Sequence, residues 1–403
     1  MRLEGGYTMK AVRLHAQWSP KPDFKIGPKD VEGKVTWLGS KVWRYPEVKV
    51  EEIPQPEIKK PTEVLIKVRA CGICGSDVHM AQTDENGYIF YPGLTGFPAT
   101  LGHEFSGEVV KAGPEAINRR TNQPFEIGEP VTSEEMLWCG YCRHCADGFP
   151  NHCENLHELG FDVDGAFAEY IVVDAKYLWS LKELEKDYSG EKLFLAGSLA
   201  EPTSVAYNAV IERGGGIRPG DNVVIFGGGP IGLAACAILK KAGGARVILS
   251  EPSEVRRNMA KELGVDININ PQKENVTEAI LDYTGGMGAK LYLEATGVPQ
   301  IIWKDLEETI WRARGINSTV VVVARADVKI PLTAEVFQVR RAQIVGSQGH
   351  SGHGNFPHVI SLMASGMDMT KMISKTVSLE EIPQYIKRLQ TDKDLVKVTA
   401  VNP

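Results

Sequence analysis

The segment 222–251, NVVIFGGGPIGLAACAILKKAGGARVILSE, leaves little freedom in how it folds. NVVIF is a continuous apolar run of strand length, the pattern of a strand covered on both faces. A helical pattern follows over 230–242, and RVILS is a second apolar strand. Between the first strand and the helix stand Gly227, Gly229 and Gly232 in the G-x-G-x-x-G register, with Ile231 inside it. The first glycine permits a tight turn, the second a close approach of backbone N–H groups to a pyrophosphate. The third lets helix and strand pack closely. A bound phosphate then lies at the positive end of the helix.

Glycines alone also mark ordinary turns. Here the strand precedes, the helix follows, and Glu251 ends the next strand, nineteen residues past Gly232. A carboxylate there accepts hydrogen bonds from the adenosine ribose and repels a 2′-phosphate, which favours NAD over NADP. Arg256 and Arg257 temper that choice, because an arginine tolerates the extra phosphate. Further on come SEVRRNMAKEL, from a Ser253 cap to Gly264, then NVTEAILDY, the strand KLYLEA, a helix near 301–313 and STVVVVA. Strands alternating with helices imply an α/β domain with a doubly wound parallel sheet.

A chain of 403 residues is too long for one ordinary core. The first ~200 residues read as strands and turns. EVLIKVRA (63–70) puts Val64, Ile66 and Val68 on one face, and GEVVKAG (107–113) and AEYIVVDA (168–175) look similar. The expected division is 1–202, 203–344 and a C-terminal segment 345–403. Two stretches, 16–44 and 81–100, are rich in Pro, Gly and aromatic residues and have no clean period.

Four of seven cysteines lie in WCGYCRHCADGFPNHC (138–153): Cys139, Cys142, Cys145 and Cys153. Four thiolates close around one tetrahedral zinc and leave no open position, so such a site is structural. The competing readings are a redox pair or unrelated thiols. A nucleic-acid zinc module wants basic flanks, but Glu134, Glu135, Asp147 and Glu154 surround the cluster. The net charge of −6 also argues against nucleic acid and anionic membrane surfaces. No apolar run approaches the ~20 residues of a spanning helix, and MRLEGGYTMKAVRL lacks the apolar stretch of a secretory signal. The expected location is the cytoplasm, where thiols stay reduced. A second donor set lies in CGICGSDVH (71–79) and LGHEFSG (101–107): Cys74, His103 and Glu104. Thiolate, imidazole and carboxylate form a ligand set that leaves a position for water or substrate.

CGICGSDVH, GHE, the four-cysteine lobe (about 134–156) and GGGPIG follow one another in the order of zinc-dependent medium-chain alcohol dehydrogenases. The chain resembles that family from about residue 60 onward, and most of all its polyol branch of sorbitol, threonine and inosose dehydrogenases. The resemblance implies a GroES-like, mostly-β catalytic domain, a Rossmann domain, and a C-terminal segment returning to the first. It implies two zinc ions per subunit, one catalytic and one structural, and a homo-oligomer, dimer or tetramer. By this resemblance Cys74 and His103 are catalytic ligands, and Cys71 is a bystander. Glu104 is a direct ligand or a neighbour that exchanges in. Glu201 of LAEPTSV binds the zinc or its water, and Asp77 orients His103. Ser76 and His79 resemble the family's proton relay; their other reading is a helix cap and a surface histidine. LEATG places Thr296 beside the nicotinamide. The loop GSQGHSGHG (346–354) either approaches the same ring or lies on the surface, with His350 and His353 not expected to bind metal. Cys236, in LAACAIL, reads as a packed core residue.

The implied reaction is hydride transfer from a secondary alcohol to NAD, with zinc easing deprotonation. Glu104 and Glu201 make the pocket polar, which suits a polyol or a cyclic polyol. Tyr88, Phe90, Tyr91 and Phe97 of the 81–100 stretch either wall a ring-shaped substrate, such as an inositol or inosose, or form a subunit contact. An L-threonine 3-dehydrogenase-like activity is the alternative. A non-catalytic NAD-binding scaffold is the third reading, and intact Cys74, Ser76, Asp77 and His103 speak against it.

Overall fold

The computed structural model describes residues 7–27, 34–350, 352 and 354–402. It divides into two compact units, Met1–Glu201 with Ile373–Pro403, and Pro202–Met372. The sequence reading draws these boundaries at 202/203 and 344/345. Residues 345–372 instead group with the second unit, because the helix Asn355–Ala364 packs there: His358 stacks on Tyr207 at 5.8 Å, and Lys241 Nζ donates to the Ser365 carbonyl at 2.8 Å.

The first unit is built mainly of strands. Its seven-stranded sheet runs, in spatial order, Leu178–Ser180, Pro130–Ser133, Glu104–Ala112, Glu63–Gly72, Lys397–Val401 and Ile373–Val377, with Tyr170–Asp174 also pairing Glu63–Gly72. Glu63–Gly72 is the hub. Val64, Ile66 and Val68 are fully buried, and Leu65 is buried on the other face, so this strand is covered on both sides. Register decides what lies at its end. Gly72 faces Glu104 on one neighbour and Thr399 on the other. The ends of three strands therefore meet where the chain turns into Cys74 and where Lys397 begins the last of them.

The described parts of the two irregular stretches pack on each other. Thr36 and Thr95 exchange backbone hydrogen bonds, Ile89 N donates to the Trp43 carbonyl, and Trp43 contacts Trp18 and Phe97 at 5.0 and 5.1 Å. Arg44 lies over the rings of Tyr45 and Tyr88. Residues 28–33 of the first stretch lie outside the described residues.

The second unit holds a six-stranded sheet in the order Ile267–Ile269, Arg246–Ser250, Asn222–Phe226, Leu291–Glu294, Thr319–Val322, Gln343–Gly346, every neighbouring pair parallel. Strand order reverses between Asn222–Phe226 and Leu291–Glu294, which is the switch point at which such sheets bind ligands. Local signals placed the helices. Ser253 Oγ accepts from Arg256 N at the start of Glu254–Glu262, and Asn275 caps Val276–Tyr283 in the same way. Among the described residues no helix is long and apolar enough to cross a membrane.

Candidate active site

Cys74 caps the short helix Gly75–Ala81. Asp77, fully buried, accepts from Cys74 N (2.8 Å) through one oxygen and from Gly102 N (3.4 Å) through the other. One carboxylate thus fixes both backbone segments that carry Cys74 and His103. The expected bond from Asp77 to the His103 ring is not formed: Nδ1 lies 3.9 Å from Asp77 Oδ1 and has no hydrogen-bond partner.

Cys74, His103 and Glu104 each present a ligand atom within 4.8 Å of the others. Glu201, buried in the first turn of Ala200–Tyr207, is close enough to act electrostatically on His103. Burial alone would lower the His103 pKa. The negative charges of Asp77 and Cys74, a hydrogen bond with Cys74 and the charge of Glu201 outweigh it and hold the imidazole well above its usual range. Burial and the Glu104 charge push the Cys74 thiol up, and His103 opposes them. Cys71 is pushed higher still, by burial first and then by Asp77 and Glu104, and lies outside the donor set.

Sequence reasoning missed Lys397. It is fully buried, forms an ion pair with Glu104, and donates to the Ile73 carbonyl at 3.0 Å. Burial would lower its pKa, but the charges of Glu104, Cys74 and Glu201 raise it. The flanking pattern Val396, Val398, Ala400 marks one buried face and would send Lys397 to solvent. In the fold its ammonium group is instead enclosed beside Glu104 and the Ile73 carbonyl.

The donor set fits a zinc ion. A thiol, an imidazole and a carboxylate converge, with the charge of Glu201 acting on the imidazole. The orphaned His103 Nδ1 also needs an acceptor once its other nitrogen is engaged. Ser76 and His79 are three residues apart on the helix and so share a side. Partial burial, then the charge of Lys393, lowers the His79 pKa.

Cys139, Cys142, Cys145 and Cys153 present sulfurs within 4.8 Å of one another. Backbone N–H groups point at them: Tyr141 N and Cys142 N at Cys139, Cys139 N and Asn155 N at Cys153, at 3.2–3.5 Å. Burial would raise the Cys139 thiol, but the Tyr141 and Cys142 N–H groups, with the Asn155 side chain, bring it down to about 6. Burial, then crowding by sulfur neighbours, pushes Cys145 up to about 12. Donors aimed at thiolates that repel one another suit a cluster completed by a cation.

In the second unit Phe226 lies in register with Ser250 and Glu294, so Gly227, Glu251 and Ala295 leave the sheet side by side. Gly227 has φ +99°, and a Cβ on Gly232 would lie 1.9 Å from the Gly227 carbonyl oxygen. Gly229 caps the helix Pro230–Lys241, with open space on its Cα and Ile231 in the first turn. Glu251, buried, accepts from Gly228 N at 2.6 Å and Ser253 N at 2.8 Å. Arg257 is committed to the carbonyls of Glu251 and Pro252. Arg256 Nε is buried with no hydrogen-bond partner. Thr296 donates through both N and Oγ to Glu294, whose second oxygen is unpartnered. Asn208, also missed in the sequence, donates to the Gly349 carbonyl at 2.9 Å and so holds the start of the 346–354 loop. His350 is buried, its ring against Phe356 at 5.0 Å; residues 351 and 353 lie outside the described residues.

Residues 60–183 match the alcohol dehydrogenase GroES-like domain family, and residues 230–365 match the zinc-binding dehydrogenase family. The chain is 80% identical over 394 residues to scyllo-inosose 3-dehydrogenase of Thermotoga maritima, covering 98% of this chain and 100% of that protein. It is 37% identical over 258 residues to L-threonine 3-dehydrogenase of Pyrococcus furiosus, covering 64% and 67%. A solved Thermotoga maritima structure, 80% identical, superposes with a TM-score of 0.96 over 98% of this chain and 100% of that one. A Sinorhizobium meliloti structure bound to NADP, 27% identical, gives 0.77 over the same shares.

Proposed function

Because the chain belongs to the zinc-binding, GroES-like alcohol dehydrogenase family, we propose that it oxidises a secondary alcohol of a cyclic polyol or inosose, with NAD as hydride acceptor. The observation that carries this is the 80% identity, end to end, with a scyllo-inosose 3-dehydrogenase. The half-buried Cys74 with buried His103 and Glu104, under the charge of Glu201, supports it.

Zinc, when bound there, makes a substrate hydroxyl easier to deprotonate. Cys74, His103 and Glu201 would hold it, and Lys397 keeps Glu104 engaged, so that an open position is left for substrate. Ser76 and His79 take the released proton toward solvent; the lowered His79 pKa keeps its imidazole neutral and able to accept. In the nucleotide site the Gly227–Gly232 turn receives the pyrophosphate. Glu251 accepts from the adenosine ribose and disfavours a 2′-phosphate, Arg256 lies beside it, and Thr296 lies by the nicotinamide. The four-cysteine lobe holds a second, structural zinc. All seven cysteines are free thiols, which suits a reducing cytoplasm. A homo-oligomer, dimer or tetramer, is part of the same reading and is read by light scattering.

The test is NADH formation by purified, zinc-loaded protein offered inososes, myo-inositol, sorbitol, xylitol, threonine and simple alcohols. Turnover concentrated on the cyclic polyols supports the proposal. Turnover on threonine alone would replace it with the second reading, which the 37% identical relative favours. Silence with both metals present would leave the scaffold reading.

A further inference from the structure

We infer that Phe161 is a positioning residue for the His103 imidazole, and that the 81–100 stretch holds Phe161 in place. This rests on the reading of His103 as a zinc ligand. The Phe161 ring lies against the His103 ring, centroids 4.7 Å apart and planes inclined by 35°. The Tyr91 ring also packs on Phe161, with centroids 5.2 Å apart. Tyr91, Phe161 and His103 are all nearly inaccessible to solvent, at 4%, 2% and 3%. The three rings form one buried row from the insertion to the metal-binding nitrogen.

Backbone packing brings Phe161 there. A Cβ on Gly165 would sit 2.2 Å from the Gly102 carbonyl oxygen, and one on Gly160 would sit 3.0 Å from Gly102 N. Only glycine allows the 160–165 segment to lie directly on the residue before His103. Ala166 N then donates to the Gly102 carbonyl at 2.8 Å, and Gly165 N to Thr100 at 2.7 Å. The 81–100 stretch is held to the same segment and to the helix that follows Cys74. Gly96 N donates to the Phe161 carbonyl at 3.0 Å, and Phe90 N and Tyr91 N both reach the His79 carbonyl, at 3.1 and 3.2 Å.

The need for such a prop follows from the imidazole itself. A ligating histidine is ordinarily oriented by a hydrogen bond on its other nitrogen, and among the described residues Nδ1 has no such partner. Ring packing then restricts rotation about the Cβ–Cγ bond, a torsion with a broad minimum of its own. The insertion thereby acts on the metal through two aromatic contacts.

The test uses full-length, zinc-loaded protein with Phe161→Leu, Tyr91→Leu, Tyr91→Phe and His103→Ala. Zinc release to a chelating dye is followed beside kcat, KM and melting temperature. Loss of an outer support of a metal ligand typically costs 10–100-fold in affinity or activity. Phe161→Leu should release one zinc about tenfold faster and lower kcat with KM little changed. Tyr91→Leu, which touches no ligand, should move release in the same direction by less, and Tyr91→Phe should restore most of it. Should Phe161→Leu fail to fold, Tyr91→Leu decides. Wild-type release in both leucine variants, or a change in KM alone, overturns the inference and marks Phe161 as a pocket wall. If His103→Ala retains both zinc ions, the metal reading itself fails, and the inference with it.

Discussion

Replacing Lys397 by methionine isolates the buried charge pair. Methionine keeps the length of the side chain but removes its charge and its donors. Glu104, 1% exposed, is left without its counter-ion, and the Ile73 carbonyl without its 3.0 Å donor. Breaking a buried ion pair by removing one partner costs about 3–5 kcal/mol. In a unit of roughly 230 residues, each kcal/mol moves the melting point by about 2–4 °C. Lys397→Met should therefore lower the transition of the first unit by roughly 6–20 °C. A lysine whose pKa is raised in the fold contributes stability that is fully present below its unfolded value of about 10.4. That stability is lost only as pH rises through the higher folded value. The lysine's own titration therefore adds no pH dependence between pH 6 and pH 9. The double variant Lys397→Met/Glu104→Gln should regain at least half, because an uncompensated carboxylate is the larger part of the cost. Calorimetry on zinc-loaded and chelator-treated protein checks this. A drop below about 2 °C in the single variant, or no recovery in the double, would refute the buried pair as a source of stability.

Four further outcomes are expected. Glu251→Ser should raise the KM for NAD about tenfold and relax discrimination against NADP by a similar factor; a variant that still refuses NADP with unchanged NAD kinetics contradicts the ribose assignment. Gly232→Ala, whose Cβ meets the Gly227 oxygen at 1.9 Å, should open the turn and weaken NAD binding about 100-fold by titration, with wild-type affinity the disproof. Cys153→Ser should remove about one zinc per chain by metal analysis, and undiminished zinc would reject the structural site. The hydrogen bond to Asp162 raises the His157 pKa, so its contribution is full below about pH 6.5 and fades as pH rises through the raised value. His157→Asn should then lose less than about 1 kcal/mol at pH 5.5, since the ring is more than half exposed, and nothing at pH 9; a deficit growing with pH reverses the sign and the explanation.

Much of the second unit was legible because its signals are local. The apolar runs at 222–226 and 246–250, the Ser253 cap and the glycine register lie within a few residues of what they specify. The compact units divide at 372/373 and not at 344/345, since the packing of the helix Asn355–Ala364 leaves no mark in its own pattern. Asn208 reads as one polar residue on a helix until the fold brings it to the carbonyl of Gly349.

The metal chemistry divides in the same way. Residue type and spacing alone fix which donors exist: Cys74, His103 and Glu104 near two strand ends, four cysteines in one lobe, a carboxylate after the second strand. Which charges and rings face those donors depends on strand register and on chain segments far apart. Glu104 and Lys397 are 293 residues apart and meet because both flank Glu63–Gly72 at its carboxyl end. Phe161 reaches His103 because three glycines let two backbones touch. Periodicity reports which face of an element is buried, and it carries no information on the partner that buries it. A lysine between valines is therefore read as solvated until the fold encloses it beside Glu104.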